Sequence, residues 1–417
     1  MNEIVHLLNP WWRGEAFEIG IPRPKYITPI QNSLSHKKTM LLVGSRRVGK
    51  TTLLRQTIKL LLNTIPPKHI LYLLLDHPQV SQSMIFELIA QFRNHFSLDR
   101  STKLYLFLDE VQYMKHWEQE VKALCDTENV QIFLSGSASA ELLAKKSFLT
   151  GRVKTYTMQP LDFAEFLQFK KTIIKETERY KYTKYCEEYL RTGGYPEYVL
   201  SEDPSYFSDL VNDVLYKDII RMYDLKNPDV LRDLLLLLAD RTGQQATFTK
   251  LSHILNVKND TVKEYIYYLK NTFIIDELPR YATSRAKRIY AAKKFYITDN
   301  GMLYHLLGTF SHSAAFERTV YRALKDTAKS VSFYYENQQE LDFVVERGHG
   351  PELWEAKYSL KNTGDDTMRG YIDVALKLNI KTVTIVTMET QKTYASEDVQ
   401  IRFLPLWQLL LAKNEKK

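Results

Sequence analysis

Cysteine is scarce in this chain, and long apolar runs are missing from it. The 417 residues include two cysteines, Cys125 and Cys186, which are too few for a disulfide framework or, by themselves, for a zinc site. The longest apolar stretch, Leu234 to Ala239, is far shorter than the about 20 residues that a membrane-spanning helix needs. The N-terminus also lacks the basic-then-apolar pattern of a signal peptide. We therefore expect a cytoplasmic protein with reduced thiols and no membrane segment.

The composition is that of a folded, basic, multidomain protein. Hydrophobic residues make up 44% of the chain and aromatic residues 12%, which is enough to fill several cores and excludes a disordered chain. At about 100–200 residues per domain, the length predicts two to four domains. The formal net charge is +8. A basic balance favours an anionic partner such as nucleic acid, although many basic proteins bind none.

Short apolar runs alternate with helical patterns in the first third of the chain. Each run is followed by polar residues at its end. Runs of this kind predict a parallel sheet covered by helices on both faces, with functional residues at the carboxyl ends of the strands. The predicted strands are Thr39–Val43, Ile70–Leu75, Leu104–Leu108 and Val130–Leu134.

A glycine-rich loop follows the first predicted strand and precedes a helix. It has the pattern Gly-x4-Gly-Lys-Thr over residues 44–51. In such a loop, backbone N–H groups surround the phosphates, the lysine approaches the β and γ oxygens, and the threonine hydroxyl ligates Mg2+. This pattern predicts binding of ATP with Mg2+. The predicted ATP-binding residues are Gly44, Ser45, Arg46, Arg47, Val48, Gly49, Lys50, Thr51 and Thr52.

Two acids end the third predicted strand. A buried strand that ends in Asp109 and Glu110 is costly unless the carboxylates meet a cation, so Asp109 is predicted to hold Mg2+, directly or through water, together with Thr51. The alternative is a helix N-terminus that happens to carry acids. Glu110 would orient and activate the attacking water. At the next strand end, Ser135 or Ser137 would sense the γ-phosphate or cap a helix. Arg152 would serve either as an arginine finger, in cis or from a neighbouring subunit of a homo-oligomer, or as a surface salt-bridge partner.

Several segments resemble one family as an ordered set. They are residues 44–54, 108–112, 134–139, 151–153, 160–166 and 193–196. The family is that of the prokaryotic, largely archaeal, AAA-type P-loop ATPases with a C-terminal domain of unknown function. The resemblance implies an α/β protein with a P-loop parallel-sheet AAA-like core, a helical lid, a winged helix and a restriction-endonuclease-like α/β domain. The expected bounds are 1–159 for the core with its N-terminal lead-in, 160–226 for the lid, 227–299 for the winged helix and 300–417 for the last domain.

Four residues of the last region look like the PD-(D/E)xK nuclease core. Alternation places Glu355 and Lys357 on one face of a predicted strand, Glu352 to Tyr358, and a neighbouring strand would bring Asp342 beside them. Glu317 would come from the preceding helix. Such acids bind Mg2+, and the lysine positions the nucleophilic water. The alternative is that the Glu-x-Lys pair is an ordinary salt bridge on a strand, and a nuclease fold does not guarantee cleavage.

The segment 280–294 is basic and contains no acid. The sequence predicts a strand from Phe273 to Leu278 and another from Arg288 to Ile297, with helices before them, which is the order of a winged helix. The wing would contact DNA phosphates, or it would be a solvated hairpin that packs against protein. The predicted DNA-contacting residues are Lys258, Lys263, Arg285, Lys287 and Arg288.

Three functions follow from these patterns. The first is a Mg2+-dependent ATPase coupled to a DNA-binding module with nuclease chemistry. The second is a nucleotide-switched protein whose nuclease-like domain is catalytically inactive and binds nucleic acid or protein. The third is a signalling switch that assembles with a protein partner and never contacts DNA.

Overall fold

The chain forms two compact units in a computed structural model. The structure describes residues 3–34, 38–137, 151–282, 284–348, 350–361, 365–396 and 398–412. The first unit is Met1–Gln159 and the second is Pro160–Lys417. In the described part of the chain, no helix combines the length and apolarity that crossing a membrane requires.

The strands of the described residues form three sheets. In chain order they are β1 Thr39–Val43, β2 Ile70–Leu74, β3 Leu104–Asp109, β4 Val130–Gly136, β5 Val153–Thr157, β6 Gln245–Ala246, β7 Ile275–Pro279, β8 Lys293–Ile297, β9 Ser330–Glu336, β10 Gln339–Arg347, β11 Gly350–Ala356, β12 Thr382–Thr387, β13 Lys392–Ser396 and β14 Val399–Pro405.

The α-helices of the described residues are numbered here in chain order. They are α1 Glu3–Leu8, α2 Pro24–Ser33, α3 Lys50–Leu61, α4 Ile85–His95, α5 Trp117–Thr127, α6 Phe163–Phe169, α7 Lys181–Thr192, α8 Pro196–Ser201, α9 Tyr206–Asp213, α10 Arg221–Tyr223, α11 Pro228–Asp240, α12 Phe248–Leu255, α13 Asn259–Asn271, α14 Arg285–Tyr290, α15 Asn300–Leu307, α16 His312–Lys325, α17 Asp365–Lys377 and α18 Leu406–Leu411. A π-helix, Val214–Ile220, joins α9 to α10, and short 3₁₀ helices lie at Pro10–Arg13, Pro67–His69, Val111–Tyr113 and Glu176–Glu178.

The first unit confirms the predicted parallel sheet. Its strand order is β2-β3-β4-β1-β5, and all four pairings are parallel. β1 is buried along its whole length, as expected for a strand with helices on both faces. The order places β1 beside β4, and β3 between β2 and β4. The ends of β1, β3 and β4 therefore share one edge of the sheet, where the polar residues follow.

The N-terminal segment covers the open edge of this sheet. The side chain of Asn9 donates to the carbonyl of Tyr72 (2.8 Å) and accepts from the amide of the same residue (2.7 Å). The indoles of Trp11 and Trp12 both donate to the carbonyl of Ile70. These contacts occupy the backbone groups of β2 that would otherwise be open to pairing with another chain.

The second unit contains helices and two further sheets. The smaller sheet is antiparallel, with the order β6-β8-β7. The larger is mixed, with the order β13-β14-β12-β11-β10-β9; β12 pairs in parallel with both β11 and β14. An isolated parallel bridge between Arg280 and Phe333 joins the chain after β7 to β9. The two sheets therefore meet along β9.

The prediction of a strand from Arg288 to Ile297 is wrong for its first part. Arg285–Tyr290 is a short helix, and the strand begins at Lys293. The side chain of Ser284 accepts a hydrogen bond from the amide of Lys287, which is the N-cap geometry that starts a helix. Strand β7 also begins two residues later than predicted, because Phe273 has a left-handed backbone (φ 59°) that ends α13 rather than starting a strand.

Candidate nucleotide site and C-terminal carboxylate cluster

The glycine loop connects β1 to the N-terminus of α3. Gly49 precedes α3 with φ 96°, a conformation that favours glycine. At Gly44, a Cβ atom would lie 2.4 Å from the carbonyl oxygen of Met158, so only glycine fits against that backbone. Ser45 and Val48 are buried, whereas Arg46 and Arg47 are half-buried. The first turn of the 12-residue helix α3 directs its N–H groups at the loop, as in anion sites at helix N-termini.

Lys50 lies inside the loop. It is 5% exposed, and its Nζ donates to the carbonyl oxygens of Gly44 (3.1 Å) and Ser45 (3.0 Å). These bonds use two of the three protons of the ammonium group. The charge is therefore held at the concave side of the loop, where the β and γ phosphates of a nucleotide would lie.

Asp109 is the centre of a buried hydrogen-bond network. One of its carboxylate oxygens, Oδ2, accepts from the hydroxyls of Thr51 (2.7 Å) and Tyr72 (2.7 Å). The other, Oδ1, accepts from Ser135. Burial raises the pKa of Asp109, and the nearby Glu110 raises it further; the three hydrogen bonds act in the opposite direction. Ser135 therefore lies against Asp109, and Tyr72 is a member of the site that the sequence did not predict.

Glu110 has an unusual backbone. Its φ of 56° and ψ of 49° are left-handed, a conformation that costs about 1–3 kcal/mol in a non-glycine residue and that clusters at functional sites. The amide of Glu110 donates to Ser135 Oγ (3.1 Å). Its carboxylate accepts from Gln112 Nε2 (2.5 Å) and from Ser137 Oγ (3.4 Å). Gln112 and Ser137 therefore position the carboxylate that is predicted to activate water.

Asp76, at the end of the run that forms β2, adds a third acid to this edge of the sheet. Burial raises its pKa, Glu110 and Asp109 raise it further, and Arg46 lowers it. Mutual repulsion among acids is reduced when a cation binds beside them.

The residues around Thr51 fit Mg2+ bound with a nucleotide. In phosphate sites this ion takes one or two carboxylates, with the remaining positions filled by phosphates and waters. The Thr51 hydroxyl and the Asp109 carboxylate are 2.7 Å apart, so both oxygens face the same position beside the loop. In the described residues, no group of three or more His, Cys, Asp or Glu side chains could hold a metal by itself. An ion here would therefore depend on the nucleotide.

Arg152 is bound to a surface partner. Its Nη1 lies 2.8 Å from Asp126 Oδ1, and both side chains are more than two-fifths exposed. This geometry is that of the salt-bridge alternative rather than of a finger directed at a phosphate. Arg152 also lies at the edge of the sheet where β1 begins, because Val153 lies beside Thr39, whereas the glycine loop follows the other end of β1.

The C-terminal residues predicted from the nuclease pattern come together. The amide of Asp342 donates to Glu355 Oε2 (3.0 Å), and the amide of Ala356 donates to Asp342 Oδ2 (3.1 Å). Lys357 Nζ lies 2.7 Å from Glu355 Oε1. The β9–β10 pairing is irregular between Leu341 and Val344, and irregularities of this kind redirect side chains near functional sites.

A second lysine enters this cluster from β8. Lys294 is 2% exposed, and its Nζ lies 2.7 Å from Glu340 Oε1, 3.3 Å from Glu317 Oε1 and 3.4 Å from Asp342 Oδ1. Tyr296, two residues along the same strand, donates to Glu317 (2.7 Å). We refer to these side chains together as the carboxylate cluster: Glu317, Glu340, Asp342 and Glu355 with Lys294 and Lys357.

The pKa values of the cluster reflect burial and mutual repulsion. Burial and then Asp342 raise the pKa of Glu317 to about 7, against the lowering effect of Lys294. Burial and Asp342 raise the pKa of Glu355 to about 7, against Lys357. Burial alone would lower the pKa of Lys294, but the three surrounding acids raise it above its ordinary value. The acids therefore hold Lys294 in its charged form.

A lysine occupies the centre of the cluster in this conformation. The described residues contain no group of three or more His, Cys, Asp or Glu side chains arranged to hold one. The ammonium of Lys294 occupies the point on which Glu317, Glu340 and Asp342 converge. The sequence indicated Lys294 only as part of a basic segment, because its position depends on the pairing of distant strands.

The residues predicted to contact DNA belong to two different helices, α13 and α14, or directly precede them. Lys258 and Lys263 are exposed at the start of α13, and Lys263 pairs with Asp260 (2.9 Å). Lys287 and Arg288 are exposed on the short helix α14. The backbone of Arg285 begins that helix; its side chain lies outside the described part of the structure.

Two family models match separate parts of the chain. Residues 36–167 match an AAA domain, and residues 183–313 match a domain of unknown function, DUF8612. An uncharacterized protein of Haemophilus influenzae is 26% identical over 343 residues, which cover 78% of this chain and 84% of that protein. The uncharacterized protein MJ1544 of Methanocaldococcus jannaschii is 24% identical over 404 residues, which cover 91% and 89% of the two chains.

Among solved structures, DnaA from Aquifex aeolicus bound to AMPPCP is similar over 59% of this chain and 86% of that one. The sequence identity is 15% and the TM-score is 0.28, a value too low to establish a shared overall fold. The match of residues 36–167 to an AAA domain, on a parallel sheet whose first strand leads into the glycine loop, supports an AAA-type ATPase domain in the first unit.

Proposed function

We propose that this protein binds ATP with Mg2+ at the loop of residues 44–51 and hydrolyses it. The observation that carries the proposal is the direct hydrogen bond between Thr51 and Asp109 (2.7 Å). It brings the hydroxyl at the start of α3 and the carboxylate at the end of β3 to one point beside the loop. Those two groups are the protein ligands that Mg2+ uses in P-loop sites.

The roles of the surrounding residues follow from their positions. The loop amides and Lys50 would bind the β and γ phosphates, and Asp109 and Thr51 would face the ion. Glu110 lies next to Asp109 on the same edge and would accept a proton from the attacking water. Gln112 and Ser137 hold the Glu110 carboxylate in one orientation, which reduces the reorganisation needed for the reaction.

Calorimetric titration of ATP into the full chain tests binding. We expect one ATP per chain, bound at least tenfold more weakly when EDTA replaces Mg2+, because the Thr51–Asp109 pair contacts the nucleotide through the ion. Titration of Mg2+ without nucleotide serves as the control for binding of the ion alone. No heat of binding with ATP and Mg2+ present would contradict the proposal.

For the second unit, we propose that the nuclease-like site is catalytically inactive as folded. Lys294 and Lys357 already neutralise two charges in a cluster of four acids, and the described residues contain no group of three or more His, Cys, Asp or Glu side chains that could hold a metal. Cleavage by such sites requires Mg2+ to stabilise the charge on the phosphate and to activate water. We propose that this region binds a ligand without cleaving it.

We propose nucleic acid as the ligand of the second unit. The surface that supports this proposal is α14, whose Lys287 and Arg288 are exposed. Beside them Ile289 is 60% and Tyr290 89% exposed. Basic side chains next to an exposed aromatic ring suit phosphate contact combined with base stacking. Such binding is largely independent of sequence.

Binding without cleavage is the expected result of an assay with DNA. Labelled single- and double-stranded DNA would be incubated with the protein and Mg2+ or Mn2+, and both the shifted complex and the cleaved product would be measured. We expect a complex and no product. Reversing the charge of Lys287 and Arg288 to Glu should weaken binding about tenfold at low salt, because two phosphate contacts are lost.

The matched control is the same double reversal at Lys59 and Lys68, which are exposed in the first unit. Equal weakening by both pairs would show that net charge alone decides affinity. Cleavage by the unaltered protein that is lost in Asp342→Asn and Lys357→Ala would overturn the proposed inactivity.

A further inference from the structure

Lys294 is a buried lysine on a strand outside the larger, mixed sheet, which carries Asp342 and Glu355. It lies on β8, in the three-stranded sheet, and is 2% exposed. Lysine is almost never fully buried unless its charge is paired. Here a single nitrogen lies within 3.4 Å of oxygens from three carboxylates. Three acids directed at one point is the arrangement that hard divalent cations use.

We propose that Lys294 is a tethered cation that competes with a divalent metal for Glu317, Glu340 and Asp342. The ammonium group supplies the positive charge that these carboxylates need. Its N···O distances of 2.7–3.4 Å are longer than the about 2.0–2.6 Å of metal–oxygen bonds. The carboxylates are therefore spaced for an ammonium group while Lys294 is present, and withdrawal of Lys294 would let them close around a metal. This inference rests on the inactivity proposed above.

The surroundings keep Lys294 in place. Tyr296 on the same strand donates to Glu317. Gly243 packs so closely that a Cβ atom there would lie 2.9 Å from Glu317 Oε1. The chain after β7 is joined to β9 by the Arg280–Phe333 bridge and by a hydrogen bond from Tyr281 to Phe333 (2.7 Å). Movement of the three-stranded sheet relative to β9 and β10 would therefore withdraw Lys294, which would link occupancy of the cluster to the position of that sheet.

A purely structural ion network is the alternative. In that case, removal of Lys294 would leave three acids that repel one another and lower the stability of the fold, but no metal would take its place. The two possibilities differ in metal affinity rather than in stability, so binding of Mn2+ is the measurement that separates them.

The experiment measures Mn2+ binding to the full chain without nucleotide, using electron paramagnetic resonance of the free ion. We expect Lys294→Met to bind one more Mn2+ per chain than the unaltered protein under the same conditions. The Kd for this ion should be at least tenfold lower than the Kd for Mn2+ of the unaltered protein. Lys293→Met is the matched control. Lys293 is 9% exposed on the same strand, but it donates to the carbonyls of Ile289 and Ala291 rather than to the acids. This control should gain no site, and neither should Lys294→Arg, which keeps the charge.

The double variant Lys294→Met/Asp342→Asn locates the new site, because it should lose the additional Mn2+. Thermal unfolding of Lys294→Met with and without Mn2+ provides a second readout in case the variant is weakly folded; we expect Mn2+ to raise its midpoint but not that of the unaltered protein. Equal Mn2+ affinity of the unaltered protein and Lys294→Met would overturn the proposed role of Lys294 but not the proposed inactivity. Tight Mn2+ binding by the unaltered protein that depends on Asp342 would overturn both this role and the proposed inactivity. Neither result would affect the ATP site.

Discussion

Replacing Glu110 by glutamine should reduce ATP turnover at least 100-fold while leaving ATP binding within a factor of about three. A positioned general base contributes about 100- to 10,000-fold to a rate, and glutamine cannot accept the proton. The substitution keeps the size of the side chain, and an amide oxygen still accepts the bond from Gln112. Steady-state phosphate release gives the turnover, and calorimetry gives the affinity for ATP with Mg2+.

Glu87→Gln is the matched control for this substitution. Glu87 is exposed in the first turn of α4, so the same chemical change there should alter neither quantity. A fall in turnover shared by both variants would indicate a general effect on the fold. Turnover by Glu110→Gln equal to that of the unaltered protein would show that another group activates the water.

Replacing Lys50 by alanine should weaken ATP binding about 100-fold. Hydrogen bonds to charged groups contribute about 1.5–3 kcal/mol, and about 2.7 kcal/mol corresponds to a 100-fold change in Kd. The substitution removes the charge that faces the phosphates. It also removes the bonds from Nζ to the carbonyls of Gly44 and Ser45, so the loop loses part of its fixed shape.

Lys59→Ala tests whether the effect is local to the loop. Lys59 lies on the same helix, α3, but is exposed in its last turn. We expect its variant to bind ATP with unchanged affinity, as measured by the same calorimetric titration. An undiminished affinity in Lys50→Ala would mean that the nucleotide binds elsewhere.

The buried strands of the first sheet could be predicted from the sequence because their apolar runs are continuous. The predicted strand Thr39–Val43 coincides with β1, and the acids expected at the end of the third strand lie at the end of β3. The edge strand β5 was not predicted. Its residues, Val153 to Thr157, are mostly polar and only partly buried, so it lacks the continuous apolar run that marks a central strand.

Two site residues that the sequence did not reveal, Tyr72 and Lys294, reach their sites through pairing between strands that are far apart in the sequence. Tyr72 reaches Asp109 because Leu74 lies opposite Asp109 in the β2–β3 register. Lys294 reaches the carboxylate cluster because β7 continues toward β9 through the Arg280–Phe333 bridge. A periodic pattern reports which face a residue occupies on its own strand, but it does not report which strand lies beside it.

The most direct test of the proposed ATPase is phosphate release from ATP by the purified full chain, measured side by side with Lys50→Ala and Glu110→Gln under saturating Mg2+. We expect turnover by the unaltered chain, with less than a hundredth of it in Glu110→Gln. In Lys50→Ala, a 100-fold weaker affinity should leave about a fiftieth of the turnover at ATP concentrations near the Kd of the unaltered chain. Equal phosphate release by all three proteins, or none by the unaltered chain, would contradict hydrolysis at the loop of residues 44–51.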